Sequence, residues 1–320
     1  LNVCPFSTAS NGSFYVATPG CQLSRMITLS AGDIMNVSGN SSANPLNELR
    51  AMGGTPTMTE PKRHFSVNGT DTELRVSYLR LTGGRVHFGT WDGDPEGGSI
   101  KVSHGATLHV SLCAFLGCGV GYCARTGGAV HIGTESNGVF IKSTFDGNSA
   151  ERYGGALTVN RGGHAVIVSC TFANNMADHH VYGGMISVFD NDEWSKTGNM
   201  TTLLLSGGGN QFIGSAGASN QYIYKIGSPS NDHGKQKVIF DMCPPGAFQP
   251  VNIAENATWS SGNSSFIGCP GQCPEGWTTP GHNYALNKYA DANAACSVPC
   301  PANQSCVSCP KGRSNDGSEL

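Results

Sequence analysis

Short stretches that alternate hydrophobic and polar residues recur through the middle of the chain, and each follows a pair of glycines. The pairs recur at intervals of 30, 27 and 29 residues, at positions 97–98, 127–128, 154–155 and 183–184. The hydrophobic positions that follow the last three pairs are Val130 and Ile132, Leu157 and Val159, and Ile186 and Val188. Alternation with a period of two predicts β-strands with one buried face, and an interval of this size indicates a structural repeat.

A second alternating strand lies further on in each repeat. A shift of 27 residues places Val139, Ile141, Ser143 and Phe145 over Val166, Val168, Cys170 and Phe172. The same shift carries Asn148 onto Asn175 and Ala150 onto Ala177. In the preceding repeat we expect the same inward places to be occupied by Val110, Leu112, Ala114 and Leu116. No stretch of ten or more residues in this region has a helical period, so the repeat consists of strands and turns.

Two all-β architectures suit such repeats, a coiled parallel sheet and a closed antiparallel sheet. A sandwich needs hairpin loops at short spacing, whereas equivalent residues in register favour a solenoid with one rung per repeat. Glycines then turn the same tight corner in every rung, where backbones stack about 4.8 Å apart. The predicted turn glycines are Gly98, Gly127, Gly128, Gly154, Gly155, Gly183 and Gly184. We expect Asn148 and Asn175 to form an asparagine ladder at another corner.

The order GGA, an alternating strand, STFDGNSA or CTFANNMA, and GG again resembles the rungs of right-handed parallel β-helix proteins with GGA and F-x-x-N-x-A motifs. Such rungs occur in bacterial polymorphic outer-membrane proteins and in secreted surface proteins of protists and algae. Residues 127–184 match closely, and residues 74–88, 203–214 and 237–242 resemble further rungs. The resemblance implies an all-β right-handed parallel β-helix over residues 27–242, with a disulfide-tied N-terminal cap over residues 1–26.

The composition changes after Met242. The stretches CPPGAF at Cys243, CPEGW at Cys273, CPANQS at Cys300 and CPKG at Cys309 resemble the C-P-x-G repeats of ephrin-receptor-like modules. Residues 243–320 are therefore expected to form an irregular, cysteine-rich segment. Disulfides would substitute there for a hydrophobic core, because the segment contains few apolar residues.

Thirteen cysteines and eight Asn-x-Ser/Thr sequons indicate an oxidising, glycosylating compartment. We therefore expect a secreted glycoprotein of the cell surface. The expected N-glycosylation sites are Asn11, Asn36, Asn40, Asn68, Asn199, Asn256, Asn263 and Asn303. The expected disulfide cysteines are Cys4, Cys21, Cys113, Cys118, Cys123, Cys170, Cys243, Cys269, Cys273, Cys296, Cys300, Cys306 and Cys309.

The cysteine count is odd, so one thiol is left over. If Cys4 pairs with Cys21, and Cys113, Cys118, Cys123 and Cys170 pair among themselves, the extra cysteine lies among the seven after Met242. Three alternatives stay open for it: a free thiol, a partner in chain beyond Leu320, or a bridge to another subunit.

Charge and hydropathy exclude several partners. Charged residues make up 13% of the chain and the formal net charge is −3, which suits neither nucleic acid nor an anionic membrane surface. No run approaches the roughly 20 apolar residues of a membrane helix, so no membrane span is expected. No charged-then-apolar leader stands at Leu1, and we expect the numbering to begin at a mature terminus.

Carboxylate groups that suit glycoside chemistry are few. The close acidic groups are Asp92 with Asp94, and Asp190 with Asp192 and Glu193. Both groups lie in turn-like contexts, where Asp is expected for conformational reasons. The signature sets of polygalacturonases and epimerases are absent from the sequence. No catalytic residue is therefore assigned, and the chain is not expected to be an enzyme.

Metal and ligand motifs are equally weak. Cys306 and Cys309 have zinc-knuckle spacing, but an oxidising compartment favours disulfides. The pair His179 and His180, followed by Tyr182, is more typical of a solvated loop than of a metal site. Tryptophans in polar loops can bind sugars or anchor the loop, and they are Trp91, Trp194, Trp259 and Trp277. We assign no metal, and no cofactor beyond covalent N-linked glycans.

The function expected from the sequence is that of an extracellular structural glycoprotein. Solenoid ends carry unpaired strand edges, so self-assembly into a filament or coat through these ends and the cysteine-rich tail is the preferred hypothesis. An adhesin or carbohydrate-binding surface protein, in contact with polysaccharide, is the first alternative. A polysaccharide lyase, epimerase or hydrolase is the second.

Overall fold

The computed structural model describes residues 2–4, 12–17, 19–30, 32–51, 63–86, 95–119, 121–178, 184–189, 201–206 and 210–214, and beyond these the strands from Gln221 onward. This part of the chain is all-β: three eight-stranded sheets run through it and none of its residues is helical. Sheet 1 consists of Ile27–Ser30, Phe65–Asn68, Ile100–Ser103, Val130–Ile132, Leu157–Asn160, Ile186–Phe189, Gln221–Ile226 and Trp259–Ser260. Sheet 2 consists of Gly12–Tyr15, Ile34–Ser38, Glu73–Ser77, Thr107–Ser111, Asn137–Ile141, His164–Val168, Thr201–Ser206 and Gln236–Phe240. Sheet 3 consists of Asn2–Val3, Gly20–Gln22, Asn47–Arg50, Leu79–Thr82, Ala114–Leu116, Thr144–Asp146, Thr171–Ala173 and Gln211–Ile213.

Smaller sheets complete the described strands. A three-stranded parallel sheet contains Ala124–Thr126, Ser149–Tyr153 and Met176–Ala177. Toward the C-terminus the pairs are Met242–Cys243 with Asn283–Tyr284, Ala247–Pro250 with Gly271–Gln272 and Lys288–Tyr289, and Trp277–Thr278 with Val298–Pro299.

Within each large sheet the strands stand in chain order, and from Ile27 to Phe240 the strands of these sheets follow one another in the order 1, 2, 3. Neighbouring strands are parallel, except that Trp259–Ser260 runs antiparallel to Gln221–Ile226. The pairing has the predicted shift of 27 residues: Val130 pairs with Leu157 and Phe145 with Phe172. Each repeat therefore contributes one strand to each sheet and bonds to the repeat before and the repeat after it.

The glycine pairs stack at one corner, and the two glycines of a pair have different roles. The first glycines of three pairs share a left-handed φ, which is 66° at Gly97, 62° at Gly127 and 60° at Gly154. The second glycines allow close backbone approach, since a Cβ on Gly128 would lie 2.0 Å from the carbonyl oxygen of Gly155. The corner therefore needs the first glycine for its left-handed φ and the second because a side chain would not fit there. Gly183 lies outside the described residues.

A column of aromatic rings fills the core behind sheet 3. Four fully buried phenylalanines stack with ring centroids 4.7, 4.7 and 5.1 Å apart, in the order Phe115, Phe145, Phe172 and Phe212. Phe140 from sheet 2 meets Phe145 edge-on at 5.7 Å. Each such pair adds about 0.5–1.5 kcal/mol beyond the burial of the rings.

A buried asparagine ladder lies beyond this column, as the 27-residue shift predicts. The Asn148 side chain donates to Oδ1 of Asn175 at 2.9 Å and to the carbonyl oxygen of Phe115 at 3.1 Å. Asn175 donates in turn to the carbonyl oxygen of Phe145 at 2.9 Å. The left-handed φ at this corner belongs to the residues just before them, Gly147 and Asn174. Both asparagines thus satisfy backbone groups that the turn would leave unpaired.

The alternation of inward and outward side chains changes phase between sheets 2 and 3, so several of the predicted inward positions in sheet 2 are wrong. One residue at that corner adopts left-handed φ in four repeats: Tyr78, Leu112, Lys142 and Ser169. As a result Phe140 and Ile167 face inward from sheet 2, whereas Ile141 is 38% exposed. Val139, Val166 and Val168 are only half-buried.

The repeat before Gly127 pairs with the next repeat at a shift of 30 residues, not the 29 that the expected alignment of Leu116 with Phe145 requires. The pairing of Phe115 with Phe145 shows this shift. Phe115 therefore occupies the inward place expected for Leu116, and Leu112 is 38% exposed. Ala114 and Leu116 are half-buried, while Val110 is buried as predicted.

The N-terminal residues already contribute strands to the parallel sheets. Gly12–Tyr15 pairs with Ile34–Ser38 in sheet 2, and Gly20–Gln22 pairs with Asn47–Arg50 in sheet 3. The Cys4–Cys21 disulfide joins two neighbouring segments of sheet 3. The division into cap, β-helix and cysteine-rich segment stays a prediction.

Candidate functional site

An open groove of about 430 Å³ lies on the outer face of sheet 2. One row of its lining side chains comes from register-matched positions of adjacent strands, Asn36, Arg75, His109 and Val139. A second row, two residues further along each strand, is Ser38, Ser77, Ser111 and Ile141. Because alternate residues of a strand share a face, both rows point outward, and the groove is polar at one end and apolar at the other.

Glu73 fixes the two basic side chains of the groove. Arg75 donates from Nε to Oε1 of Glu73 at 2.6 Å and from its terminal nitrogen to Oε2 at 3.1 Å. Nε2 of His109 lies 3.2 Å from Oε1 of Glu73. The hydrogen bond that Arg75 donates to Glu73, together with the charge of that carboxylate, raises the pKa of Arg75. Two of the five guanidinium N–H groups are used, and the rest are available to a ligand in the groove.

A second charged cluster lies on the outer side of sheet 1. Oε2 of Glu96 is 3.1 Å from Nζ of Lys101 and 3.5 Å from Nε2 of His131. His131 is 1% exposed, and its Nδ1 lies 3.2 Å from the Thr126 hydroxyl. Arg161 contributes a further positive charge. One carboxylate therefore joins basic side chains from three successive repeats.

The electrostatics of this cluster favour anchoring over catalysis. Burial alone would raise the pKa of Glu96, but the charges of His131, Lys101 and Arg161 outweigh burial and lower that pKa to about 2. A carboxylate that stays ionised to such low pH is a poor general acid and a weak base near neutrality. The ion pairs instead hold Glu96 where its backbone bridges to Thr126.

Three of the predicted glycosylation sites lie in the described part of the chain. Asn36 is half-buried in the groove, and its Nδ2 is 3.4 Å from the Ser13 hydroxyl. Asn40 accepts the Ser42 N–H at 2.9 Å through its side chain. Asn68 is exposed at the end of its strand. The other five, Asn11, Asn199, Asn256, Asn263 and Asn303, lie outside the described residues.

The cysteines follow the expectation only in part. Disulfides join Cys4 to Cys21 and Cys118 to Cys123, which indicates an oxidising environment. The expectation that Cys113 and Cys170 form disulfides is wrong, since both are buried and free. They occupy one position two repeats apart, with Ser143 between them. Two strand spacings of about 4.8 Å exceed the Cα separation of about 7 Å that a disulfide spans.

Burial controls the chemistry of both free thiols. It raises the pKa of Cys113 to about 12 and that of Cys170 to about 11. Of the seven later cysteines only the backbone of Cys243 is described, in the strand Met242–Cys243.

The residues weighed for catalysis or metal binding lie outside the described residues: Asp92, Asp94, Asp190, Asp192, Glu193, His179, His180 and Tyr182. Trp91 and Trp194 lie there too, and only the strand backbone is described for Trp259 and Trp277. Within the described ranges, no group of three or more His, Cys, Asp or Glu side chains is placed to hold a metal ion.

Sequence reasoning missed both charged clusters. Glu73 and Arg75 are two residues apart on a strand, so their shared face could be read from alternation alone. The approach of His109 to Glu73, and of Lys101 and His131 to Glu96, depends on which residues of different repeats are paired. That register was assigned correctly only from Gly127 onward.

Comparison of the chain with protein-family models, with curated proteins and with solved structures found no match. In the part of the chain that the structure describes, no helix is long and apolar enough to cross a membrane.

Proposed function

We propose that the chain is an extracellular structural glycoprotein, built on a right-handed parallel β-helix and assembling into a filament or coat at the cell surface. In this proposal the strands of residues 27–242 form the rod, and the cysteine-rich residues 243–320 contribute disulfide contacts between subunits. The rod presents long, regular faces and two ends to its neighbours.

The observation that carries the proposal is the strand order of the three large sheets. Parallel strands stand in chain order in all three, so every repeat adds one layer in the same direction. Stacked layers of this kind form rods whose end strands expose unpaired backbone groups unless they are covered. Such ends favour association with further copies.

Composition and chemistry support an extracellular material. Charged residues make up 13% of the chain, and eight sequons are present. Two disulfides cross-link the described part of the chain. The charged cluster around Glu96 has the character of a structural anchor. These features suit durability better than turnover of a substrate.

Electron microscopy of material from the native source, untreated and reduced, tests the proposal. Regular filaments with an axial repeat close to the length of one rod are expected, and their loss on reduction would place disulfides between subunits. Isolated short rods in both samples would refute assembly.

A carbohydrate-binding surface protein is a second candidate, favoured by the polar groove on sheet 2. Its test is a glycan array that includes uronates, glucans and mannans, with saturable binding as the expected result. Variants of Arg75 or His109 should weaken such binding, and absence of binding across the array would reject this candidate.

A further inference from the structure

We propose that the groove on sheet 2 is occupied by an N-linked glycan attached to Asn36 of the same chain. The inference rests on the proposed extracellular glycoprotein and adds the place where one of its glycans lies. The groove is then an internal binding site, and the glycan is a packed part of the molecule.

The sequon of Asn36 lies inside a strand rather than in a loop. Asn36, Val37 and Ser38 belong to the strand Ile34–Ser38, and Asn36 and Ser38 both line the groove while Val37 is buried in the core. A sugar attached to Asn36 therefore starts at one end of the groove. In the structure Nδ2 donates to the Ser13 hydroxyl at 3.4 Å, on the neighbouring strand away from Arg75, so the side-chain amide turns about its Cβ–Cγ bond to direct the sugar toward Arg75.

The groove runs away from Asn36 over three further strands, which is roughly 14 Å at the spacing of adjacent strands. Next to Asn36 stands Arg75, then His109, then Val139. The Ser77 and Ser111 hydroxyls follow in the second row. Sugar hydroxyl and acetamido oxygens can accept hydrogen bonds from Arg75 and from these hydroxyls. The apolar patch of Val139 and Ile141 suits the less polar face of a sugar or an acetyl methyl group.

Positioning of the donors supports a built site. Glu73 is 18% exposed and holds both Arg75 and His109, so their direction is set before a ligand arrives. Preorganised donors lose little conformational entropy on binding. The volume of about 430 Å³ is far larger than the roughly 30 Å³ of one water molecule and suits a substituent of several sugar rings.

The other described sequons lack such surroundings. Asn68 is exposed at the end of its strand and outside the groove lining, and Thr70 of its sequon is exposed as well. Oδ1 of Asn68 accepts from the Ser103 hydroxyl at 3.0 Å and lies 2.7 Å from Nδ1 of His104, which leaves Nδ2 directed to solvent for a glycan. A glycan on Asn68 projects into solvent, so Asn68 is the internal comparison. The Asn40 side chain is engaged in a turn with the Ser42 N–H.

Attachment follows ordinary N-glycosylation. A lipid-linked oligosaccharide diphosphate is the donor, and a bond forms between Nδ2 of Asn36 and the anomeric carbon of the first sugar. The bond from that carbon to the diphosphate oxygen breaks, and the proton lost from Nδ2 ends on the departing diphosphate or on solvent. The reaction takes place before the strand folds, and the sheet then forms with the sugar on its outer face.

The first experiment is glycopeptide mass spectrometry of the protein from its native source, with Asn36 and Asn68 compared in one digest. We expect a glycan on both. A glycan on Asn68 with none on Asn36 overturns this inference and leaves the glycoprotein proposal standing. Unmodified asparagine at both sites, and at every other sequon, removes the glycoprotein proposal itself.

The second experiment measures release of the glycans by an amidase of the peptide-N-glycosidase type, under native conditions and after denaturation. Release from Asn36 should be roughly tenfold slower than from Asn68 in the native protein, the ratio expected when the groove-bound form is favoured about ten to one. The two rates should become equal after denaturation. Equal native rates would show that the Asn36 glycan does not lie in the groove.

Matched variants, secreted from a glycosylating eukaryotic host, locate the protection. His109→Ala removes a groove contact and should speed native release at Asn36, whereas His164→Ala, an exposed histidine of the same sheet outside the groove, should not. Ser38→Ala should abolish the Asn36 glycan and Ser38→Thr should retain it. Saturable binding of a free oligosaccharide to protein glycosylated at Asn36, lost in His109→Ala, would assign the groove to an external ligand and overturn the proposal.

Discussion

Gly128→Ala adds one methyl group at a corner with no room for it. The Cβ would lie 2.0 Å from the carbonyl oxygen of Gly155 and 2.6 Å from that of Ser149, both backbone atoms of the layer stacked on this corner. Gly128 is not among the residues with left-handed φ, so the effect is one of space alone. Because two repeats must move apart by more than an ångström, we expect a loss of at least about 3 kcal/mol, the upper end of the range for overpacking.

Gly147→Ala is the matched control. Gly147 has a φ of 64°, and nothing lies within 4 Å of a Cβ placed there. An alanine in the left-handed region costs about 1–2 kcal/mol, and the gain from a less flexible unfolded chain offsets part of it. We therefore expect Gly147→Ala to cost only about 1 kcal/mol.

Urea unfolding followed by far-ultraviolet circular dichroism measures both variants against the parent protein. The expected order of unfolding midpoints is parent, then Gly147→Ala, then Gly128→Ala. If Gly128→Ala unfolds at the same midpoint as Gly147→Ala, the close approach of backbones does not explain the need for glycine at position 128.

Three further outcomes are expected. Glu96→Gln should destabilise the protein by roughly 2–3 kcal/mol near pH 6, because the pKa of Glu96 falls from 4.5 to about 2 on folding. That stabilisation is present above pH 4.5 and is lost as the pH falls toward 2. The thermal melting temperatures of the two proteins should therefore converge near pH 2, and a difference in melting temperature that does not change with pH would contradict a role for the ion pairs. Phe145→Ala should lower the free energy of unfolding in urea by about 3–5 kcal/mol, and Phe145→Leu clearly less, since leucine refills most of the space between the neighbouring rings. Equal losses in the two variants would mean that the stacked rings contribute little to stability. Cys113 and Cys170 should resist iodoacetamide in the native protein at pH 8 and react after unfolding, because burial raises the pKa of both thiols, and rapid native labelling would place them at the surface.

Much of the fold could be predicted from glycine and hydrophobic spacing. The strands that begin at Val130 and Leu157 pair as their spacing indicates, and Asn148 meets Asn175 as the 27-residue shift requires. These features depend on residue types with strong preferences, namely glycine at left-handed φ, buried β-branched residues in strands, and asparagine at turns.

The missed features depend on weaker signals. Leu112 and Lys142 adopt left-handed φ although neither residue type favours it, so the sequence does not indicate the change of phase between sheets 2 and 3. The 30-residue shift of the preceding repeat hid the pairing of Phe115 with Phe145. The groove could not be predicted for the same reason, since it forms only when Asn36, Arg75 and His109 are brought into register.

The strand order of the three sheets has a mechanical consequence. Hydrogen bonds between neighbouring strands run along the direction in which repeats stack, so a tension applied along the stack pulls directly on them. A repeat at an uncovered end of such a stack is bonded on one side only and should detach first, and each detachment exposes the next repeat to the same load. A repeat of 27 residues extends to roughly 90 Å when pulled straight. Under load the chain would lengthen in steps of one repeat each, while the remaining layers stay folded.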